Sequence, residues 1–135
     1  MLVLPLKEIK SWHMKEFGKD RMRLEHIVEA IERLEEHAGN LAEDELRQDV
    51  MRYYGIVKNI EIIGEAARML TDEFKSAHSE VAWRNIAGMR NFLVHEYFNV
   101  DEETVFEVLH SEIPVLKNQI TTYLSIINWE QWESQ

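Results

Sequence analysis

The chain contains no cysteine, which excludes disulfides, thiolate catalysis and cysteine-built zinc or iron–sulfur sites, and which suits a reducing cytoplasm. Proline and glycine are sparse, two and five among 135 residues, the opposite of a disordered composition and favourable to helices. Long apolar runs are missing as well. No stretch reaches the roughly 20 residues that cross a bilayer as a helix. The opening Met1-Leu2-Val3-Leu4-Pro5-Leu6 has neither the basic start nor the full apolar segment of an export signal. The expectation is a cytoplasmic protein with no membrane segment. Positive charge is also short: 15 Lys and Arg face 25 Asp and Glu, a formal net charge of −10. Non-specific coating of nucleic acid runs on many cationic contacts to phosphate and is disfavoured, whereas a local cationic cleft is not.

What is present suits one globular domain, with 45% hydrophobic and 30% charged residues. A chain of this length can bury about two-thirds of the surface its unfolded form would expose. The acids gather in Glu25, Glu29, Glu32, Glu35 and Glu36, and again in Asp101, Glu102, Glu103, Glu107 and Glu112. Between these clusters, the window from Arg84 to His95 holds Arg84, Arg90 and His95 and no acid.

Residues 1–20 fit no template and are read as an N-terminal extension, with Met14 and Met22 as alternative starts. From Met22 the pattern is helical: Leu24, Ile27, Val28, Ile31 and Leu34 form one stripe that stops at Ala38-Gly39-Asn40. Asn40 with Glu43 resembles a capping box, and a ladder follows at Leu46, Val50, Tyr53, Val57, Ile60, Gly64 and Ala67. Read as one long helix, it is expected to lie centrally, with Gly64, Ala66 and Ala67 admitting a close neighbour. A short helix from Thr71 or Asp72 to Ala77 is predicted, then a third main helix from near Ser79 through Trp83, Ile86, Met89 and Leu93. The fourth is capped by Asp101 and carries Val105, Leu109, Ile113, Leu116, Ile120, Tyr123 and Ile127, with a kink or break expected at Pro114. No internal repeat and no strand pattern is found. The predicted fold class is all-α, a four- to five-helix bundle over residues 21–128 followed by a frayed tail, 129–135, whose Trp129 and Trp132 dock either on the bundle or on a partner.

The chemistry concentrates in Trp83-Arg84-Asn85-Ile86-Ala87-Gly88-Met89-Arg90-Asn91-Phe92-Leu93-Val94-His95-Glu96-Tyr97. On a regular helix Asn91 and His95 share a face, and Arg84, eleven residues before His95, returns to nearly the same angle. Arg90 and His95 fall on separated faces, so the helix is expected to end near His95 or the site to be completed across a two-fold axis. These residue types suit phosphodiester cleavage without a metal. An imidazole titrating near neutrality can take a proton from a ribose 2′-hydroxyl or give one to the leaving oxygen. A guanidinium can brace the phosphate and stabilise the growing charge. By spacing alone Arg-x-x-x-x-His is a weak signal, and a satisfied helix-end histidine beside a surface arginine is the commoner arrangement. Glu61 and Glu65 lie four apart and could face the cleft, with Glu65 orienting Arg90 or His95, although a solvated or structurally paired carboxylate is the commoner role. His26, His37, His78 and His110 are scattered without metal-ligand spacing. No phosphate loop, Ser/His/Asp order or calcium loop is recognisable, and no metal or cofactor is expected.

The run Gly88-Met89-Arg90-Asn91-Phe92-Leu93-Val94-His95-Glu96-Tyr97-Phe98-Asn99-Val100-Asp101 resembles the signature of the HepT-like proteins, the HEPN-superfamily ribonuclease toxins with an Arg-x4-His-x-Tyr motif. The resemblance extends to Ile62-Ile63-Gly64-Glu65-Ala66-Ala67, Trp83-Arg84-Asn85-Ile86 and Ile113-Pro114-Val115-Leu116, covering Met22 to Ile127. Asn99 stands where glycine is common, which still tolerates a left-handed turn. The resemblance implies a HEPN-like homodimer whose paired motifs form a composite cleft for RNA, with Arg90 and His95 catalytic and Asn91 their polar partner. It also implies a type VII-like toxin–antitoxin system, in which an MNT-type nucleotidyltransferase antitoxin adenylylates Tyr97. Arg84 and Glu65 are candidate supporting residues. The rival expectation is a catalytically silent helical module that binds a nucleotide or a nucleotidyltransferase, and a purely structural dimer is the third.

Overall fold

The computed structural model describes residues 6–95 and 102–135, with side chains over 17–89 and 102–135. In the first helix, α1 (Leu6–Ala38), Leu24, Ile27, Ile31, Leu34 and Ala38 are buried at alternating steps of three and four, the spacing that puts them on one face. The same stripe continues back through Asp20 and Phe17, both buried. The helix therefore runs well ahead of Met22, where the sequence pattern first becomes legible: a carboxylate at a core position interrupts the apolar rhythm without interrupting the helix. At the other end the Gly39 N–H reaches the Glu35 carbonyl at 3.1 Å. A Cβ on Gly39 would lie 2.6 Å from that carbonyl oxygen, too close for any other residue without a shift of backbone.

The long ladder read as one helix is two. In α2 (Glu43–Gln48) the cap is Ala42 rather than Asn40, and its N–H donates to the Glu45 carboxylate at 3.3 Å. Asp49 then breaks the helix and starts α3 (Val50–Met69), its carboxylate accepting the Arg52 N–H at 3.0 Å. Since only one residue leaves the helical conformation, the apolar rhythm passes over the break almost in step. The burial differs accordingly. Val50 is exposed, while Ile56 and Ile63 join Ile60, Gly64, Ala66 and Ala67 inside. This wide buried face is needed because α3 packs against α1 and also against α5 (Trp83–His95).

Between them α4 (Asp72–Ala77) is capped by the Thr71 hydroxyl, which accepts the Phe74 N–H at 3.1 Å. Asp101, expected to cap the next helix, lies outside the described residues. That helix, α6 (Glu102–Glu107), leads into a π-helical turn, Val108–Glu112, and then α7 (Ile113–Ile126). Pro114 has no N–H for the His110 carbonyl, and the break expected there takes the form of the wider turn just ahead, where the Ile113 N–H reaches back five residues to Val108. Val105, Leu109, Ile113, Leu116, Ile120 and Tyr123 are buried as the stripe predicts, and α7 lies against α1, tied to it by Lys117 Nζ and the Glu35 carboxylate at 2.8 Å.

The tail read as frayed is a helix, α8 (Trp129–Glu133), whose cap Asn128 accepts the Gln131 N–H at 3.1 Å. Both tryptophans dock on the bundle. Trp129 stacks on Phe74 with centroids 6.0 Å apart and planes at 13°, and Trp132 meets Phe74 edge-on and Phe17 at a tilt. Under this aromatic cluster sits Asp20, wholly buried. Its carboxylate accepts the Thr71 N–H at 2.8 Å, the Thr71 hydroxyl at 2.7 Å and the Trp132 indole N–H at 3.1 Å. A buried charge is tolerated only when bonded in this way, so one carboxylate fixes α1, the start of α4 and α8 to one another. The architecture is an all-α bundle of the HEPN-like kind, and among the described residues there is no strand.

Candidate active site

The first turn of α5 is anchored. Trp83 and Ile86 are buried, and the Trp83 indole donates to the His78 carbonyl at 2.8 Å, fixing where the helix begins. Arg90, Asn91 and His95 all lie on this one helix, whose described part ends with His95. Taking about 100° per residue, Asn91 and His95 stand about 40° apart and Arg84 about 20° from His95. Arg90 and His95 differ by about 140°, and Arg90 falls instead on the register of Trp83 and Ile86. The helix thus puts Arg84, Asn91 and His95 on one strip and Arg90 on another, as the spacing suggests. Tyr97 lies outside the described residues, as do the side chains of Arg90, Asn91 and His95.

The strip that carries Arg84 borders a groove of about 450 Å³. Its α5 wall is Arg84, Asn85, Gly88 and Met89, and its other wall is Thr104 and Val105 of α6 with Val108 and Glu112 of the π-helical turn. Ile60 of α3 closes it below. Arg84 and Glu112 are exposed, so the rim carries one charge of each sign above a mostly apolar floor. Of these residues the sequence reading names Arg84 alone as a candidate site residue. Asn85, Gly88, Thr104 and Glu112 are missed because the π-helical turn, which sets the second wall, has no sequence pattern beyond the proline that follows it.

Glu65 and Glu61 line a different groove, of about 380 Å³, between α1 and α3, together with Arg23, His26 and Arg33. Glu65 holds Arg68 of its own helix through two bonds, 2.7 and 3.2 Å, which raises the Arg68 pKa above its ordinary value. The structural role weighed for Glu65 is therefore present. A bond from Glu65 to Arg90 or His95 would involve side chains outside those described. Lys58 sits 3.8 Å from Glu61. His37 is exposed beside Glu36, and His78 packs its ring against Phe74 and Tyr123. Among the described residues no three His, Asp or Glu side chains gather as a metal-holding group, and no helix is long and apolar enough to cross a membrane.

Comparison with known proteins decides the family. A family profile described as "Ribonuclease HepT-like" matches residues 27–123. The chain belongs to the HepT-like ribonuclease family. Over 104 residues it is 39% identical to a protein named as a "putative RNase" from Caldanaerobacter subterraneus subsp. tengcongensis, covering 77% of this chain and 93% of that one. Over 106 residues it is 37% identical to a "probable ribonuclease HepT" from Thermococcus cleftensis, covering 78% and 94%. No solved structure matches. The HepT-like match takes in both grooves' α3 residues, all of α5 and the Arg90, Asn91, His95 and Tyr97 positions.

Proposed function

We propose that this chain is a metal-independent RNA endonuclease, the toxin of a type VII-like toxin–antitoxin pair, acting in the cytoplasm as a homodimer on tRNA or mRNA. What supports the reading is an intact Arg90-Asn91-x-x-x-His95-x-Tyr97 pattern, its first three members on α5, inside the span that matches the HepT-like ribonucleases. His95 takes the proton of the ribose 2′-hydroxyl, the 2′-oxygen attacks phosphorus, and the bond to the 5′-oxygen breaks as that oxygen gains a proton. Arg90 neutralises charge on the non-bridging oxygens, and Asn91 orients His95 or the substrate. The 140° between Arg90 and His95 on one helix is a reason to pair the motifs across a two-fold, where the partner's His95 can return the proton.

Purified, unmodified protein incubated with total RNA is expected to leave 5′-hydroxyl and 2′,3′-cyclic phosphate ends. Fragments with 3′-hydroxyl and 5′-phosphate ends would overturn this chemistry, since the 2′-oxygen would then not be the nucleophile. Control is exerted through Tyr97: an MNT-type nucleotidyltransferase adds adenylate there, and the added phosphate and bulk repel a polyanionic substrate. Mass spectrometry after co-expression with such a partner should find adenylate on Tyr97, and modification confined to another residue would refute the assignment.

A further inference from the structure

Gly88 is out of place as a helix residue. It lies mid-way along α5, where glycine is among the poorest helix formers. No left-handed backbone calls for it, since no described glycine has a positive φ, and a Cβ built on it meets nothing within 4 Å. Among the described residues neither the backbone nor packing therefore calls for a glycine here. What its absence provides is open volume in the α5–α6 groove, which at about 450 Å³ is within the range of sites for small organic groups.

The walls give that volume a chemistry. Ile60 and Val105 are buried and Met89 and Val108 half-buried, an apolar floor on which a flat ring can rest, with the Met89 thioether as a polarisable contact. On the rim Arg84 is exposed, and among the described residues it has no carboxylate partner, so its guanidinium is available to a phosphate or to the face of a base. Glu112, opposite, is acceptor-only when ionised, which suits an exocyclic amino group and opposes a carbonyl edge. On the helix wheel Arg84, Gly88, Asn91 and His95 fall within about 60° of one another, and Gly88 precedes His95 by about 10 Å along the axis. The groove wall thus runs straight into the positions assigned to the chemistry.

We propose that this groove is the subsite for the nucleotide that flanks the cleaved phosphodiester: Gly88 makes room for the base, Arg84 holds its phosphate, and Glu112 favours bases with an exocyclic amine over uracil. The proposal rests on the endonuclease reading above, and a binding measurement separates the two. The probe is a fluorescein-labelled, 2′-O-methylated single-stranded oligonucleotide of randomised sequence, which cannot be cut by attack of a 2′-hydroxyl. In fluorescence anisotropy Gly88→Leu, which fills the groove, and Arg84→Gln should each weaken binding about tenfold, with Arg84→Gln also lowering the salt slope by about 0.7. Gly88→Ala, the milder helix-favouring change, guards against misfolding of the leucine variant, and thermal melts of all three should keep one cooperative transition. On cleavable RNA, Glu112→Gln should erase a depletion of uridine next to the cut. Groove-dependent binding without cleavage by the wild type would support the subsite and sink the endonuclease. Cleavage by the wild type with unchanged affinity and base preference in Gly88→Leu, Arg84→Gln and Glu112→Gln would do the reverse. A Gly88→Leu chain that loses its dimer while Arg84→Gln binds RNA normally would overturn the subsite in favour of a packing surface between subunits.

Discussion

Trp83 and Gly88, five residues apart on α5, have different surroundings. At the start of the helix Trp83 enters an aromatic cluster with Phe74, Tyr123 and Trp129 over the buried Asp20, whose carboxylate accepts three hydrogen bonds. From the next residue on, the exposed Arg84 and then Gly88 line an open groove, and the residues proposed for catalysis follow on the same helix. The anchoring contacts thus gather at Trp83 and the residues proposed for chemistry lie on later turns, so changes at the two are expected to move different properties.

The largest expected effect is at the chemical end. His95→Ala or Arg90→Ala should lower RNA cleavage by about 10²–10⁴-fold and abolish growth arrest on induction, with the melting temperature unchanged. Equal toxicity of His95→Ala and wild type would remove the separation by removing the chemistry. The converse is Asp20→Ala, which leaves buried donors on Thr71 and Trp132 without an acceptor, at about 1–3 kcal/mol each. Denaturant unfolding should show a loss on the order of 3 kcal/mol, while the folded fraction cleaves RNA at the normal rate. A specific loss of rate in well-folded protein would mean the ends communicate.

Titration sharpens the same contrast. The Tyr123 ring is buried and its hydroxyl donates to Glu80 at 2.8 Å, so burial first and then that carboxylate push its pKa from 10.0 to about 12. Between those values the folded chain keeps a proton that the unfolded chain gives up. The contribution is whole below about pH 10 and is lost as pH rises through about 12. Glu80 behaves oppositely: its backbone N–H and then Tyr123 hold its pKa below 4.5, so its contribution is present above that value and lost as pH falls. Melting curves across alkaline pH should show the Tyr123 arm in wild type and its disappearance in Tyr123→Phe. An unchanged arm would place the titration elsewhere. The smallest effect is the most diagnostic. Gly88→Ala should raise stability by about 0.5–1 kcal/mol, because alanine costs less in a helix and meets nothing there, and it should do so without improving RNA affinity.

Much of this plan is legible in the sequence, and the failures have physical causes. Stripes such as Leu24-Ile27-Ile31-Leu34 and Leu109-Ile113-Leu116-Ile120 are written directly in the spacing, and these residues are buried. The early turns of α1 are illegible because Asp20 is a core residue only by virtue of Thr71 and Trp132, positions 51 and 112 residues away along the chain. The break at Asp49 is hidden since a single residue leaves the helix. For the candidate site, the Arg90, Asn91 and His95 positions are visible as a motif, and α5 confirms their shared helix. The second wall is invisible until the π-helical turn brings Val108 and Glu112 to face Arg84 and Gly88.

The carboxylate at position 20 also sets an order of events during synthesis. It emerges from the ribosome first, its threonine donors well afterwards and the indole of residue 132 last of all. Until then water takes the place of the indole N–H on that carboxylate, and the third of its bonds waits for α8 to dock. The contact that ties α8 to α1 is thus among the last of the bundle that synthesis makes possible.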